Sequence, residues 1–339
     1  MCMISAYIGD SVAAPHLIEM TRRQESIFGG FYTGIATIDK NVLYRKRTVG
    51  SCSTFQSLYD LSELPGSIGI AHSRTNDGGG VEWAQPRFDE KQGIASVGVG
   101  IGGVLASYDN TILLAESLLS QGVVFHTRLE GEKKNGITLS DKTTIHAAEA
   151  WLIAIGRSYD SGRSILEAIR EVNLRSESVT LYLTTREPDR IFVANHNSRL
   201  LALKTEKGMQ LVSSIIGLNE KIIWAMEIPP NTFATVTKNQ VITEVLWEDE
   251  ERYDFYEPHD FVSVVTDYIN DNPGAGWADA LNSTTSKIFP SGKASLGFLM
   301  FHQTIERLLK NKVIKYETTE VKGTEGQCGI PQMILFCDK

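Results

Sequence analysis

Short apolar segments rich in β-branched and aromatic residues recur through the first 247 positions, and this pattern is typical of β-strands. Segments with apolar residues at helical intervals interrupt them in groups. We predict helices at 12–28, 53–61, 108–119, 145–155 and 164–172, and strands at 3–8, 31–38, 41–47, 67–74, 94–101, 179–185, 190–194, 199–203, 210–214, 232–237 and 241–247. Two sheets with helices on their outer faces would bury these segments, which predicts an α+β fold with four αββα layers.

The pattern changes after a charged stretch at residues 248–256, which we interpret as a linker between residues 1–247 and residues 257–339. Three helices (261–270, 277–288, 295–310) and a hairpin (313–321, 331–336) then follow, and this order predicts a small α/β module of winged-helix type. From residue 255 onward, ten acidic residues outnumber eight basic ones, which argues against DNA and for a protein contact.

Composition narrows the functional classes. The chain has 41 acidic and 33 basic residues and a net charge of −8, which disfavours nucleic acid and membrane surfaces as partners. No apolar run reaches the length of a membrane span and no signal peptide precedes the first strand, so we expect a cytoplasmic protein. The four cysteines lack metal-ligand spacing, and we expect reduced thiols, no metal and no cofactor.

Cys2 directly follows the initiator methionine and opens the first apolar segment. Removal of Met1 would give this cysteine a free α-amino group, whose pKa of about 7.7–8.0 suits a general base for the neighbouring thiol. A single residue could then supply both the nucleophile and its base. The alternative is that Cys2 is a small buried apolar residue, as most free cysteines are.

A second motif follows about seventy residues later, where Gly69-Ile70-Ala71-His72-Ser73-Arg74 ends a predicted strand. Together with the amino-terminal cysteine and its strand, this motif resembles the class II glutamine amidotransferases, the N-terminal-nucleophile glutaminases. The resemblance covers about residues 2–247 and is strongest to the glutaminase half of glucosamine-6-phosphate synthases. It implies the αββα sandwich of N-terminal-nucleophile hydrolases.

The resemblance also implies site residues. A glutaminase must hold the substrate carboxylate, and a guanidinium binds two carboxylate oxygens at once, which makes Arg74 the candidate. Thr75 and Asn76 follow it and are further candidates for substrate binding. Asp141 matches the aspartate of the family's Thr-Asp-Thr-Glu-Val-Ile segment, which would bind the substrate ammonium group. Ser140 or Asp141 could equally be the N-cap of the following helix.

Several positions depart from the family pattern. The family's Trp-Ala-Thr-His-Gly after the arginine is here Thr75-Asn76-Asp77-Gly78-Gly79. The family's oxyanion hole aligns with Gly102 and Gly103, so that glycine replaces the asparagine donor, and losing one such donor costs on the order of 100- to 1000-fold in rate. Met3 stands where the family has glycine, and its bulk is expected to narrow the approach to Cys2.

Three functions stay open. The first is a glutaminase, a hydrolase or transferase that cleaves glutamine or a similar small amide through a Cys2 thioester and passes ammonia to a separate protein. The second is a non-enzymatic scaffold that senses an amino acid or docks a regulatory partner, and a homodimer is compatible with either. The third is a dinucleotide-binding oxidoreductase, because Gly98-Val99-Gly100-Ile101-Gly102-Gly103 matches G-x-G-x-x-G.

Overall fold

The computed structural model describes residues 2–76, 78–100, 108–133, 136–173, 175, 178–216, 218, 220–250, 260–289, 294–322 and 329–338. The helices are α1 (Ala13–Phe28), α2 (Cys52–Leu58), α3 (Tyr108–Ser120), α4 (Ala147–Asp160), α5 (Ile165–Val172), α6 (Phe261–Asp271), α7 (Trp277–Ile288) and α8 (Ala294–Lys310). None of the helices in these ranges combines the length and the apolar character needed to cross a bilayer.

Most strands belong to two antiparallel sheets. The strands are β1 (Met3–Gly9), β2 (Tyr32–Asp39), β3 (Val42–Val49), β4 (Ile68–Arg74), β5 (Arg87–Asp89), β6 (Ile94–Gly100), β7 (Leu129–Glu130), β8 (Ile137–Thr138), β9 (Thr143–Ile145), β10 (Ser178–Thr184), β11 (Ile191–Asn195), β12 (Leu201–Thr205), β13 (Gly208–Val212), β14 (Ile222–Glu227), β15 (Thr232–Val236), β16 (Val241–Val245), β17 (Ala275–Gly276), β18 (Ile314–Val321) and β19 (Ile330–Cys337). The first sheet has the order β14-β12-β13-β1-β4-β2-β3 and the second the order β16-β15-β11-β10-β6-β5.

The two sheets face each other across the main apolar core. Successive side chains of a strand point to opposite faces, so Ile4, Ala6 and Ile8 of β1 share one face with Cys2. These side chains belong to one buried cluster with Val97 of β6 and other residues of the second sheet. Tyr7, on the opposite face of β1, belongs instead to the cluster of α1 and α2.

Helices cover the outer face of each sheet. Leu17 of α1 and Phe55 of α2 belong to the cluster that packs on the first sheet. Ile155 of α4 and Ile169 of α5 belong to the cluster that packs on Tyr182 and other residues of the second sheet. The predicted order of helices, sheet, sheet and helices is therefore confirmed, because each sheet buries one face on its partner and the other on helices.

The setting of the glycine motif does not fit a dinucleotide site. Gly98 and Gly100 lie within β6, which pairs antiparallel with both β5 and β10. A dinucleotide-binding glycine turn requires a parallel βαβ unit. Ile101, Gly102 and Gly103, the other part of the motif, lie outside the described residues.

The alternative that Ser140 or Asp141 caps the following helix is wrong. The helix after Asp141 begins only at Ala147, and its N-cap is His146, whose ring accepts a hydrogen bond from the Ala148 backbone N–H at 3.2 Å. Asp141 lies instead in the turn between β8 and β9, two strands of a small sheet with the order β7-β9-β8. Its side chain therefore does not cap α4.

The carboxyl-terminal residues form three helices and a three-stranded antiparallel sheet with the order β17-β19-β18. We call α6 to β19 the carboxyl-terminal module. Its apolar core is shared with the amino-terminal part of the chain, because Met3, Ile27 and Ile216 belong to the same buried cluster as Phe301 and Trp277. The module therefore packs directly on β1 and α1.

Candidate functional site

The structure places Cys2 at the open end of the inter-sheet core. Its side chain is 7% exposed, and its Sγ lies 3.9 Å from Oγ1 of Thr75. The reason is the pairing of β1 with β4, in which Met3 lies opposite Ser73, so that the start of one strand meets the end of the other. Cys2, Arg74 and Thr75 are thus brought to one end of the first sheet.

A small cavity lies beside Cys2. It has about 10 Å³ of free volume, which is room for about one water molecule. Its wall also contains residues from both sheets, from the segment before β12 and from α8: Met3, Val99, Ser198, Arg199, Ser213, Phe298 and His302. The carboxyl-terminal module therefore contributes directly to the surroundings of the candidate nucleophile, a contact that no pattern in the sequence predicts.

Arg74 is buried and binds the protein's own backbone. Its side chain is 2% exposed, and Nη1 donates a hydrogen bond to the carbonyl oxygen of Trp83 at 3.1 Å. The guanidinium carbon also lies 5.1 Å from the ring centroid of Tyr32 and 5.7 Å from that of Trp83. Such cation–π contacts fix the orientation of the guanidinium.

Two further arginines hold the segment after the glycine loop. Arg47 Nη1 donates to the carbonyl oxygen of Ala84 at 2.8 Å, and Arg87 Nη2 donates to that of Trp83 at 2.8 Å. The hydroxyl of Tyr32 donates to the Gly78 and Gly79 carbonyl oxygens at 3.1 and 3.0 Å. Tyr32 of the first sheet therefore holds the described part of the glycine loop, and Arg47 and Arg87 hold the segment that follows it.

Gly79 is required by the backbone of this loop. Its φ of +76° lies in the left-handed region, and an added Cβ would collide with the ring of Trp83. Trp83 in turn is fully buried and donates from Nε1 to the carbonyl oxygen of Thr127 at 2.7 Å. The loop thus follows the surface of a fixed indole.

The surroundings of Arg74 carry excess positive charge. Burial, followed by the charge of Arg74, lowers the pKa of Arg87 well below its usual value. Burial and the same two arginines also lower the pKa values of His72 and His146 well below that of free histidine, so both rings are neutral at pH 7. This environment favours an anionic ligand group.

Glu149 is the buried carboxylate of this region. It accepts hydrogen bonds from the backbone N–H groups of His126 at 2.8 Å and Thr127 at 2.9 Å, and from the Thr127 hydroxyl at 2.5 Å. No sequence motif marks Glu149, because its partners His126 and Thr127 lie 23 and 22 residues earlier in the chain. Its contacts tie the segment before β7 to α4.

Asp141 is not brought into contact with Cys2 or Arg74 in the described structure. It is exposed and pairs with Arg128. It also accepts from the Thr143 backbone N–H at 3.0 Å and hydroxyl at 2.6 Å, and these hydrogen bonds, followed by Arg128, lower its pKa. The other predicted positions differ: Asn76 is exposed, and Gly102 and Gly103 lie outside the described residues.

The described residues contain no set of side chains suited to bind a metal ion. Among the residues that the structure describes, no three His, Cys, Asp or Glu side chains lie close enough together to hold a metal ion.

The chain is similar to several curated proteins, although no family model matches it. It is 30% identical over 205 residues to the glutamine–fructose-6-phosphate aminotransferase (isomerizing) of Methanothermobacter thermautotrophicus, a match that covers 59% of this chain and 31% of the relative. It is 28% identical over 223 residues to the Pyrococcus horikoshii protein of the same name, covering 64% and 33%. The chain thus matches about a third of the length of each.

Solved structures share the fold. The glutamine phosphoribosylpyrophosphate amidotransferase of B. subtilis, complexed with ADP and GMP, has a TM-score of 0.57 and 16% identity, and the match covers 80% of this chain and 58% of that one. A structure described as the allosteric regulatory enzyme of purine biosynthesis has a TM-score of 0.58 and 15% identity, with coverages of 88% and 63%. The sequence relatives and this shared fold, with Cys2 at the start of the central strand β1, show that the chain carries a class II glutamine amidotransferase domain.

Proposed function

We propose that the chain is a glutaminase that releases ammonia for a separate acceptor protein. The observation that carries this proposal is the position of Cys2, which immediately precedes a central strand, lies on the inter-sheet face and places its Sγ 3.9 Å from Thr75 at the end of β4. An amino-terminal thiol at that place would have its own α-amino group as base once Met1 is removed.

In the proposed reaction, the α-amino group takes the proton of the Cys2 thiol, and the sulfur attacks the side-chain amide carbon of glutamine. The tetrahedral intermediate carries an oxyanion, which the backbone N–H of Gly103 would stabilise, as the family resemblance implies, without the side-chain donor that Gly102 lacks. The intermediate collapses when the nitrogen receives a proton and leaves as ammonia. Water then hydrolyses the γ-glutamyl thioester and regenerates the thiol.

Substrate binding would draw on the positive region around Arg74. The substrate carboxylate would replace the Trp83 carbonyl oxygen as a partner of the Arg74 guanidinium, since a charged acceptor binds more strongly than a neutral one. The Thr75 hydroxyl and the exposed Asn76 would complete the contacts. Asp141 would bind the substrate ammonium group only if it exchanged its partner Arg128.

The relatives' name describes transfer to fructose 6-phosphate, and this chain matches only about a third of their length. We therefore assign ammonia transfer to a partner protein and leave the acceptor's chemistry to that partner. The carboxyl-terminal module offers a contact for it. Its order of helix, strand, helix, helix, strand and strand supports a winged-helix fold, and its acidic balance favours a protein over DNA.

The test is glutamine hydrolysis by purified protein whose intact mass verifies the loss of Met1. Ammonia release is expected from the wild type and is expected to vanish in Cys2→Ala. Cys52→Ala is the matched control, because Cys52 is fully buried in the cluster of α1 and α2 and away from the cavity beside Cys2. Absence of turnover in wild-type protein with a verified free Cys2 terminus would contradict the proposal, and calorimetric binding without turnover would favour amino-acid sensing.

A further inference from the structure

The carboxyl-terminal module packs on the nucleophile strand and borders the cavity beside Cys2. Met3, next to Cys2 and on the other face of β1, is 1% exposed and shares an apolar cluster with Phe298 and Ile305 of α8. Phe298 and His302 of α8 also lie in the wall of the small cavity that Cys2 borders. One helix of the module therefore contacts the surroundings of both Cys2 and Met3.

Glu306 of α8 is the polar anchor of this contact. Its Oε1 accepts hydrogen bonds from the Ser214 hydroxyl at 2.6 Å and from the Ile215 backbone N–H at 3.2 Å. Its Oε2 accepts from Arg199 Nη2 at 2.7 Å, and Arg199 also pairs with Glu227. Glu306 is 9% exposed and Arg199 is 8% exposed, so the ion pair is buried. Removing one partner of a buried ion pair is strongly destabilising when the other charge stays buried.

Hydrogen bonds lead from this anchor to β1. The Ser214 backbone N–H donates to Oε1 of Gln24 in α1 at 2.8 Å, and the Gln24 amide donates to the Ser5 hydroxyl at 3.1 Å. The neighbouring residue, Ser213, accepts from the Ile4 backbone N–H at 3.1 Å. The segment that Glu306 holds is therefore the one that holds β1 two and three residues after Cys2.

We propose that Glu306 is a positioning residue for the Cys2 nucleophile. It acts through Arg199 and the 213–215 segment, which line the cavity beside Cys2 or bind β1 directly. Its carboxylate holds α8 and this segment in a fixed relative position. It thereby holds the Cys2 sulfur at the distance and angle needed to attack the substrate amide. The activity readout of this inference rests on the proposed glutaminase function.

The expected effect is on kcat. A misplacement of about 1 Å of a reacting atom can cost on the order of 100-fold in rate, even when the mutation is remote from the chemistry. Glu306→Ala is therefore expected to lower kcat about 100-fold and to change KM less than about 3-fold, because Glu306 contacts no proposed substrate-binding residue. Glu306→Gln keeps one acceptor oxygen for Ser214 and Ile215 and is expected to fall between the wild type and Glu306→Ala.

Ile269→Ala is the matched control. Ile269 in α6 is fully buried in the core of the module, so its truncation weakens the module without removing a contact to Arg199 or the 213–215 segment. All variants are assayed well below their own melting temperatures. If Glu306→Ala and Ile269→Ala lower kcat equally at equal loss of melting temperature, Glu306 acts only through stability and the inference is wrong.

A second readout does not depend on glutamine turnover. The rate of Cys2 alkylation by iodoacetamide is measured by peptide mass spectrometry, with buried Cys52 as the reference thiol in the same molecule. Because Cys2 is only 7% exposed beside α8, Glu306→Ala is expected to raise its alkylation rate at least about 10-fold and Ile269→Ala to leave it near the wild type. If the wild type releases no ammonia, the proposed function fails and alkylation alone decides; unchanged Cys2 alkylation in Glu306→Ala would overturn the inference.

Discussion

At the scale of single residues, burial and neighbouring groups set the chemistry of a side chain, whether or not a sequence motif marks it. Arg74 was expected from its place in Gly-Ile-Ala-His-Ser-Arg, and the structure puts it at the predicted strand end next to Thr75. Its contact with the Trp83 carbonyl oxygen could not be predicted, because it depends on the path of the loop between them. The motif therefore predicts where Arg74 lies, whereas its burial and its hydrogen-bond partner follow only from the three-dimensional structure.

Glu25 shows the same dependence on surroundings. It is 2% exposed and accepts a hydrogen bond from the Cys52 backbone N–H at 2.9 Å, and burial raises its pKa to about 7. Its folded-state pKa lies above the unfolded value, so its contribution is full at low pH, and stability is lost as pH rises from about 4.5 through 7. Glu25→Gln keeps an acceptor for Cys52 and removes the titration.

We therefore expect Glu25→Gln to stabilise the protein by about 2–3 kcal/mol at pH 8 and to change its stability little at pH 5. Urea unfolding at both pH values measures this difference. Glu63→Gln, at an exposed carboxylate paired with Lys46, is the control and should show no such pH dependence. Equal effects of Glu25→Gln at pH 5 and pH 8 would show that Glu25 does not titrate between them.

His302 gives a pH effect of opposite sign. It is fully buried, and burial, followed by the charge of Arg199, lowers its pKa to about 3. Among the residues that the structure describes, neither of its ring nitrogens has a hydrogen-bond partner. The unfolded chain binds a proton at this residue below about pH 6.5 and the folded chain does not, so stability falls as pH decreases from 6.5 towards 3.

His302→Phe is expected to keep the aromatic packing with Phe298 and Trp277 and to remove that loss. The difference in unfolding free energy between the variant and the wild type should shift by about 1–2 kcal/mol in favour of the variant when the pH is lowered from 7.5 to 5. Chemical unfolding at the two pH values measures it, with His126→Gln as control, since that ring is 77% exposed. A constant difference between the two pH values would contradict the assignment.

At the scale of elements, helices and strands with a strong hydrophobic periodicity are predicted well from the sequence, and those with a weak periodicity are not. The helices α1, α5, α7 and α8 and the hairpin β2–β3 lie within a few residues of their predicted ranges. The strands β7, β8 and β9 have two or three residues each, which is too short for an alternation to be visible. They occupy the region where the sequence suggested a helix start at Asp141, and the true N-cap is a histidine, which capping statistics do not favour.

Strand β14 was missed for a different reason. It lies at the edge of the first sheet, and its six residues are exposed or only partly buried on both faces. Ile222 and Ile223 are adjacent in sequence and both exposed, so no period of two separates a buried from a solvent face. Backbone pairing with β12 holds this strand in the sheet. Such pairing does not require alternating apolar side chains, so the sequence pattern does not reveal the strand.

Helix α5 gives a prediction at this scale. Its first turn has a capping box, in which the Ser164 hydroxyl accepts from the Glu167 backbone N–H and the Glu167 carboxylate accepts from the Ser164 backbone N–H. Ser164→Ala removes one of these bonds and should destabilise the protein by about 1 kcal/mol in urea unfolding. Ser120→Ala, at an exposed serine in the last turn of α3, is the control; an equal effect there would assign the loss to something other than the cap.

At the scale of the whole molecule, the seam between β1 and the carboxyl-terminal module decides the environment of Cys2. The sequence indicated both partners but not their contact, since Arg199 and Glu306 are 107 residues apart. Met3, in place of the family's glycine, suggested a narrowed approach to the nucleophile. Its side chain lies in the apolar cluster of the module, on the face of β1 opposite Cys2, although the residue also borders the small cavity.

The seam predicts how the amino-terminal part behaves alone. Truncation after Glu250 would expose Met3, Ile27 and Ile216 and would remove Glu306 from Arg199, which keeps its pairing with Glu227. Burial of a large apolar side chain contributes about 1.5–3 kcal/mol, so exposing these three removes a large share of the 5–15 kcal/mol that stabilises a typical domain. We therefore expect residues 1–250 to be poorly soluble or to unfold without a cooperative urea transition.

A repaired truncation separates this explanation from a simple loss of chain length. Met3→Gly, which restores the family's residue, combined with Ile27→Ser and Ile216→Ser removes the exposed apolar side chains and should recover soluble protein from residues 1–250. The same three substitutions in the full chain should destabilise it, because they remove buried contacts with the module. If the unmodified truncation instead unfolded cooperatively at the midpoint of the full chain, the seam would contribute nothing to stability, and residues 1–247 would be an independent domain to which the module is merely attached.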